Sequence, residues 1–159
     1  MTSCEPYPFR WCDIQLYMGQ LQLDVFGVKA SQLRAADWSS MTFTVQKIGV
    51  TGEIVGHACS GALHACPVVG LADLCLLLHK HGASRDAPLG TYREIPSGPL
   101  CYIKSSDIPK ALKSAARVHG AEFGIGTDDV SDGCLRSTGA MALFCGGFDS
   151  SRIRLIVRC

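Results

Sequence analysis

The sequence predicts an α+β fold that is mainly α-helical and carries a small antiparallel β-hairpin. Residues 41–48 alternate apolar and polar side chains, a glycine-containing turn follows, and residues 53–58 return as a second strand. Three later segments repeat apolar residues at helical spacing between cap residues: 66–81, 105–120 and 131–145. With 159 residues, of which 47% are hydrophobic and 18% charged, the chain is expected to fold as a single domain over residues 1–159.

The first element, residues 11–26, is predicted to be a helix. Apolar residues recur there at steps of three and four positions, namely Ile14, Tyr17, Met18, Leu21 and Val25. Gly27 is expected to end this helix, and Ser31 is a plausible N-cap for a short helical turn that contains Leu33. The predicted hairpin of residues 41–58 comes next.

The second long helix is predicted to begin at Cys66-Pro67, because proline suits a first helical turn. Its expected buried stripe is Leu71, Leu74, Cys75 and Leu78. His79 and His81 are interpreted as solvated residues of the last turn, before Gly82 as the C-cap. Residues 82–103 are rich in Gly, Pro and Ser and are predicted to be a long loop of a functional or mobile kind.

Three helices are predicted in the remaining part of the chain. Ser105 or Ser106 begins the first, which ends at Gly120 and carries Lys110, Lys113 and Arg117 at positions i, i+3 and i+7. These three cations form either an ordinary solvated face or a face that contacts phosphates. Ser131 caps the next helix, which contains Arg136 and ends at Cys145, and Asp149 or Ser150 caps the last.

The charge balance restricts the choice of partner. Lys plus Arg number 15 and Asp plus Glu number 14, so a nucleic-acid site would have to be a local basic patch. No apolar run approaches the ~20 residues of a membrane span, and residues 1–15 do not resemble a signal peptide. We therefore expect no membrane partner and an intracellular location, in the nucleus or cytoplasm.

Nine cysteines without an export signal are expected to be free thiols. One alternative is a zinc-binding interaction domain that uses two H-x-C pairs, His57 with Cys59 and His64 with Cys66. This spacing differs from that of known zinc knuckles, so buried small hydrophobes are the preferred interpretation and no metal site is assigned.

Several segments resemble the catalytic domain of tyrosine recombinases, the phage integrase-like enzymes. Residues 131–159, SDGCLRSTGAMALFCGGFDSSRIRLIVRC, are similar to the family segment H-x-L-R-H-T-x-A-T with its following small-residue helix. Residues 27–40, GVKASQLRAADWSS, are similar to G-x-R-x-S-E-L-x-x-L-x-W-x-D. The hairpin MTFTVQKIGVTGE and the segment SGALHACPV resemble mobile-element copies of the family. The order helix, short helix, hairpin, helices resembles the catalytic domain of the family itself.

The resemblance implies a DNA-cleaving chemistry that needs no metal or other cofactor. In the family a tyrosine attacks a DNA phosphodiester, two arginines brace the phosphate oxygens, and a hairpin lysine protonates the leaving oxygen. Carried over, Arg136 matches the second arginine and Lys47 matches the hairpin lysine. Lys29 stands at the first arginine, where it keeps the charge but loses the planar fork. Taken singly, each of the three could instead be an ordinary helix, hairpin or turn residue.

The resemblance also implies that this site is degenerate. Gly133 stands where the family has a histidine, and the four tyrosines, 7, 17, 92 and 102, all precede Arg136. We expect a C-terminally truncated integrase-like domain of mobile-element type, a DNA recombination and integration domain that is impaired as an isolated chain. Its expected partners are DNA and other recombinase protomers, which could supply a tyrosine in trans. A catalytically dead DNA-binding module that uses Lys110, Lys113 and Arg117 is the alternative.

Overall fold

Six strands and five α-helices form the described part of the chain, in a computed structural model that describes residues 9–27, 29–44, 51–62 and 66–157. The strands are β1 (Ile14–Met18), β2 (Leu21–Leu23), β3 (Trp38–Phe43), β4 (Glu53–Ala58), β5 (Thr91–Tyr92) and β6 (Cys101–Tyr102). The helices are α1 (Ala30–Arg34), α2 (Pro67–Lys80), α3 (Asp107–His119), α4 (Asp132–Cys145) and α5 (Ser150–Val157). The α+β class with more helix than strand is confirmed.

The larger sheet has four antiparallel strands in the order β2-β1-β3-β4, and β5 and β6 form a separate antiparallel pair. Two compact units divide the chain, Met1–Tyr102 with all six strands and Ile103–Cys159 with α3, α4 and α5. The expectation of one domain over residues 1–159 stays a prediction. No helix of the described residues is long and apolar enough to cross a membrane.

The predicted first helix over residues 11–26 is wrong, because this segment is a β-hairpin. Ile14 and Leu16 are buried on β1 and alternate with half-buried neighbours, which is the two-residue period of a strand. Met18 pairs with Leu21 across a two-residue turn, and Gly19 adopts a φ of 59°. The apolar positions of this segment fit both a helical and a strand pattern, so spacing alone did not distinguish the two. The turn forms because glycine tolerates the positive φ.

The predicted hairpin is confirmed in part. The strand β4 has the predicted bounds, whereas β3 begins at Trp38, three residues before the predicted start at residue 41. The sequence pattern missed this start because Ser39 and Ser40, which sit on a central strand, are polar but buried at 0% and 6% exposure. Residues 45–48, the end of the predicted first arm, lie outside the described residues.

The core of the first unit is formed by the sheet and α2. Its buried residues are Trp11, Ile14, Leu16, Leu23, Val25, Leu33, Ala36, Cys66, Val68, Ala72, Cys75 and Leu78. Helix α2 begins after Cys66, as predicted, but its buried stripe includes Val68 and Ala72, whereas Leu71 and Leu74 are only half-buried. The stripe therefore begins one turn earlier than the leucines alone suggested.

The interpretation of His79 as a solvated end residue is wrong. Its Nε2 lies 2.7 Å from the carbonyl oxygen of Val25, and its ring meets the Trp11 ring edge-on with centroids 4.6 Å apart. Because a carbonyl only accepts, Nε2 carries the proton and donates it. The C-cap of α2 is His81, one residue before the predicted Gly82, and Gly82 follows it with a φ of 62°, the left-handed conformation common after a helix end.

The segment predicted as a long loop, residues 82–103, contains the β5–β6 pair. Arg93 ties it to the end of α2, since its Nη2 donates to the carbonyl oxygen of His81 at 3.0 Å and its Nη1 donates to that of Gly98. Residues 82–103 therefore form a hydrogen-bonded connection that contains two short strands, and not only a loop.

The helices of the second unit match their predicted bounds. Ser106 is the N-cap residue of α3 and Ser131 that of α4. Ahead of α5, the Asp149 carboxylate accepts the backbone N–H of Ser151 at 2.9 Å. No apolar side chain described within residues 103–157 is buried.

Candidate functional site

The basic face of α3, defined as Lys110, Lys113 and Arg117, is the cationic cluster that the structure places on one regular element. All three side chains are exposed. The helix is well suited to hold them, because Asp107 lies in its first turn and accepts the backbone N–H of Lys104 at 2.9 Å. The cations therefore project from a helix whose start is anchored locally.

The charges of this face are unevenly compensated. Lys110 Nζ lies 3.5 Å from a carboxylate oxygen of Asp107. The backbone N–H of Lys104, and then Lys110, lower the pKa of Asp107, so this carboxylate is ionised at neutral pH. Within the described part of the chain, Lys113 and Arg117 make no ion pair. In the C-terminal half of the face, the two cations thus pair with no carboxylate of the described residues.

The length of the basic face matches a phosphate backbone. Seven residues of α-helix rise about 10 Å, so Lys110 and Arg117 are separated by about that distance along the axis. Phosphates of one DNA strand follow each other about every 3.4 Å along the duplex axis. The axial span of the face, about three such steps, is therefore long enough for its three cations to contact different phosphates.

The three predicted catalytic residues fall in different parts of the chain, one at α1, one on α4 and one outside the described residues. Lys29 is exposed at the N-cap position of α1, where its backbone N–H donates to the Gln32 side chain at 3.2 Å. Arg136 lies on α4 in the second unit, and its side chain is not among those that the structure describes. Lys47 lies outside the described residues altogether. A catalytic cluster of Lys29, Lys47 and Arg136 stays a prediction.

The element order on which the recombinase resemblance partly rests differs at its start from the observed order. The expected element order began with a helix over residues 11–26, and that segment is the β1–β2 hairpin. The following short helix and the β3–β4 hairpin are present in the predicted order. The motif similarity of residues 27–40 and 131–159 is unaffected by this correction, and it stays a prediction.

The alternative zinc site is not assembled by the described residues. No group of three or more His, Cys, Asp or Glu among them could hold a metal ion. His57 is half-buried on β4, and His64 lies outside the described residues. Among the three predicted ligands that are described, Cys59 and Cys66 are in contact, with their Sγ atoms 3.3 Å apart.

The sequence pattern indicated these two cysteines as alternative metal ligands and did not predict their contact as a pair of thiols. The backbone N–H groups of Val69 and Ser60, followed by the Cys59 thiol, lower the pKa of Cys66 from 9.0 to about 6. The Ser60 N–H lies 3.4 Å from Cys66 Sγ. A cysteine directly before a helix-opening proline was the available signal, because that position faces the first backbone N–H groups of the helix.

Comparison with known proteins found no relative of this chain. No protein-family model matches the chain, and neither a curated protein nor a solved structure matches it. The candidate sites therefore depend on the geometry of the chain itself.

Proposed function

We propose that this chain binds duplex DNA through phosphate contacts made by the basic face of α3. The observation that carries the proposal is the exposure of Lys113 and Arg117 on one helix face with no ion pair among the described residues. Such cations displace condensed counterions from DNA, which favours binding without any reading of the base sequence. Arginine adds a planar fork that can donate two hydrogen bonds to one phosphate.

The proposed binding is local and of modest strength. The net charge of +1 supplies no long-range attraction to DNA beyond that of the face itself. Each phosphate contact contributes about −0.9 to the slope of log affinity against log salt concentration. Three contacts therefore predict a slope of about −2.7.

Fluorescence anisotropy with a labelled duplex, measured over a series of salt concentrations, tests the proposal. We expect the double variant Lys113→Gln, Arg117→Gln to weaken binding and to reduce the magnitude of the salt slope by about 2. A second duplex of unrelated sequence should bind with the same affinity and slope.

The matched control is the double variant Arg34→Gln, Lys80→Gln in the first unit. It also removes one arginine and one lysine, both of them exposed, and so lowers the net charge by the same amount. We expect its salt slope to equal that of the unchanged chain. Equal losses in the two double variants, or binding that does not depend on salt, would contradict the proposal.

The resemblance to tyrosine recombinases implies cleavage of DNA through a covalent phosphotyrosyl link. We expect that the chain forms no covalent link to DNA, because Lys29 stands at the position of a clamping arginine and Gly133 at that of a family histidine. Incubation with a nicked duplex that traps phosphotyrosyl intermediates checks this. A covalent adduct that disappears in Arg136→Ala would contradict the expectation and favour an active recombinase.

A further inference from the structure

Two cysteines distant from α3 are held in contact by the first unit. Cys59 directly follows β4, and its backbone N–H donates to the carbonyl oxygen of Asp37 at 2.8 Å. Cys66 is the N-cap residue of α2, and its carbonyl oxygen accepts the N–H of Gly70 at 3.0 Å. Backbone hydrogen bonds at both positions therefore hold the two Sγ atoms at their separation of 3.3 Å.

The two thiols differ in access and in surroundings. Cys59 is exposed, whereas Cys66 is buried at 7% exposure. Cys66 Sγ accepts the backbone N–H of Ser60, which follows β4, at 3.4 Å, and the N–H of Val69 in the first turn of the 14-residue helix α2 also favours its thiolate. A reagent in solution therefore reaches Cys59 first, and the Cys66 thiolate lies directly behind it.

We propose that Cys59 and Cys66 form a reversible intramolecular disulfide by exchange with a low-molecular-weight disulfide, with Cys59 as the entry thiol and Cys66 as the resolving thiol. The sulfur atoms need to approach by about 1.3 Å to reach a disulfide bond length of about 2.0 Å. The surface position of Cys59 leaves room for that movement.

The exchange takes two balanced steps. Cys59 loses its proton to water and attacks one sulfur of the small disulfide RS–SR, which forms Cys59–S–SR and releases RS⁻. The Cys66 thiolate then attacks Cys59 Sγ, forms the intramolecular bond and releases a second RS⁻. One released thiolate takes up the proton that Cys59 gave, and the other takes a proton from the solvent, because Cys66 reacts as a thiolate that has already lost its own. Two electrons pass from the protein sulfurs to the small disulfide, which leaves as two RSH.

The reverse reaction is favoured by the surroundings of Cys66. A reducing thiol attacks the exposed Cys59 Sγ, and Cys66 departs as a thiolate. The Val69 and Ser60 N–H groups lower the pKa of Cys66, and a thiol of low pKa is a good leaving group. Stabilisation of the reduced form makes the disulfide easy to reduce, which is the behaviour of a redox switch rather than of a structural crosslink.

Cys75, Cys12 and Cys145 lack these features. Burial raises the pKa of Cys75 to about 11, which keeps it protonated and unreactive. Burial, and then the charge of Asp13, raise the pKa of Cys12. Cys145 is exposed on α4 and serves as a control for simple accessibility.

The test is to equilibrate the full chain with glutathione buffers of increasing oxidised fraction, block the remaining thiols by alkylation, and map the cysteines by mass spectrometry. We expect a Cys59–Cys66 crosslinked peptide, lighter by two hydrogens than the sum of its parts, that disappears on return to reduced glutathione. Absence of this crosslink at every oxidised fraction, with glutathione attached to Cys145, would overturn the proposal.

Two variants test the order of the steps. Cys66→Ser keeps a side chain suited to an N-cap and should accumulate a glutathione adduct on Cys59, because the resolving thiol is missing. Cys59→Ser should lose the crosslink and leave Cys66 unmodified, whereas Cys145→Ser should crosslink as the unchanged chain does. A Cys66 adduct in Cys59→Ser, or no Cys59 adduct in Cys66→Ser, would contradict the proposed order.

Discussion

The thiol of Cys66 links folding of the first unit to pH. Its pKa is about 6 in the folded chain, against an ordinary value of 9.0. Between these values the unfolded state holds more protons than the folded state, so the free energy of unfolding rises with pH. This contribution is fully present above the ordinary pKa, and it is lost as the pH falls through about 6.

Urea unfolding of the reduced chain at several pH values measures this contribution. Both tryptophans, Trp11 and Trp38, belong to the first unit, so their fluorescence reports on its unfolding. We expect the stability difference between the unchanged chain and Cys66→Ser to grow as the pH rises from about 6 towards 9. A difference that is constant over this interval would contradict the assigned thiolate.

His79 is expected to stabilise the first unit through its contacts with Val25 and Trp11. Replacement by alanine leaves the Val25 carbonyl without this donor and removes the edge-on ring contact. We expect His79→Ala to lower the free energy of unfolding by about 1–3 kcal/mol. The neighbouring exposed Lys80→Ala should change it by no more than about 0.5 kcal/mol. If the two variants had equal effects, His79 would contribute no more than a solvated residue at the helix end, which is what its position in the sequence suggested.

At the scale of elements, two glycines should respond to the same substitution with opposite sign. Gly19 turns the β1–β2 hairpin with a φ of 59°, whereas Gly70 lies in α2, and an added Cβ at either position meets nothing within 4 Å. We expect Gly19→Ala to destabilise the first unit by about 1–2 kcal/mol through backbone strain alone.

Gly70→Ala is expected to stabilise the same unit by about 0.5–1 kcal/mol, because alanine restricts the unfolded chain and favours helix. Urea unfolding followed by tryptophan fluorescence measures both variants. A stabilising Gly19→Ala would mean that residues 14–23 do not form the observed hairpin and would restore the helical interpretation.

The elements that could be predicted from the sequence are those with one dominant period and a clear cap. Helices α3 and α4 begin after Ser106 and Ser131, and α2 begins at Pro67, as the local signals indicated. Residues 14–25 carry apolar side chains compatible with both periods, so only burial against the rest of the unit selects the strands. The start of β3 was hidden because Ser39 is buried on a central strand without an apolar side chain.

The two candidate sites also differ in how far they could be predicted from the sequence. The basic face of α3 follows from spacing within one helix, and the sequence analysis identified it. The contact of Cys59 with Cys66 depends on how the end of β4 meets the start of α2, and sequence spacing alone left it as one alternative among metal ligands. A contact between two elements can be predicted only once their packing is known, whereas a shared face within one helix can be predicted from the helical period alone.

At the scale of the whole molecule, buried apolar side chains are distributed unequally between the two units. The described core residues lie within positions 11–87, and no described apolar side chain of residues 103–157 is buried. In the second unit, Val118, Phe123, Met141 and Phe144 are each more than half exposed, at 69%, 71%, 61% and 62%. Apolar burial is the main favourable term in folding, so the two units should differ in their resistance to local opening.

Hydrogen exchange of the full chain, followed by mass spectrometry of peptides, measures this difference. After correction for intrinsic rates, we expect the amides of β1, β3 and α2 to exchange at least about tenfold more slowly than those of α3 and α4, which corresponds to about 1.4 kcal/mol in opening free energy. Hydrogen bonding alone does not produce this contrast, because the amides of α3 and α4 are bonded within their helices just as those of α2 are. Equal protection of α2 and α3 would therefore show that burial does not set local stability in this chain.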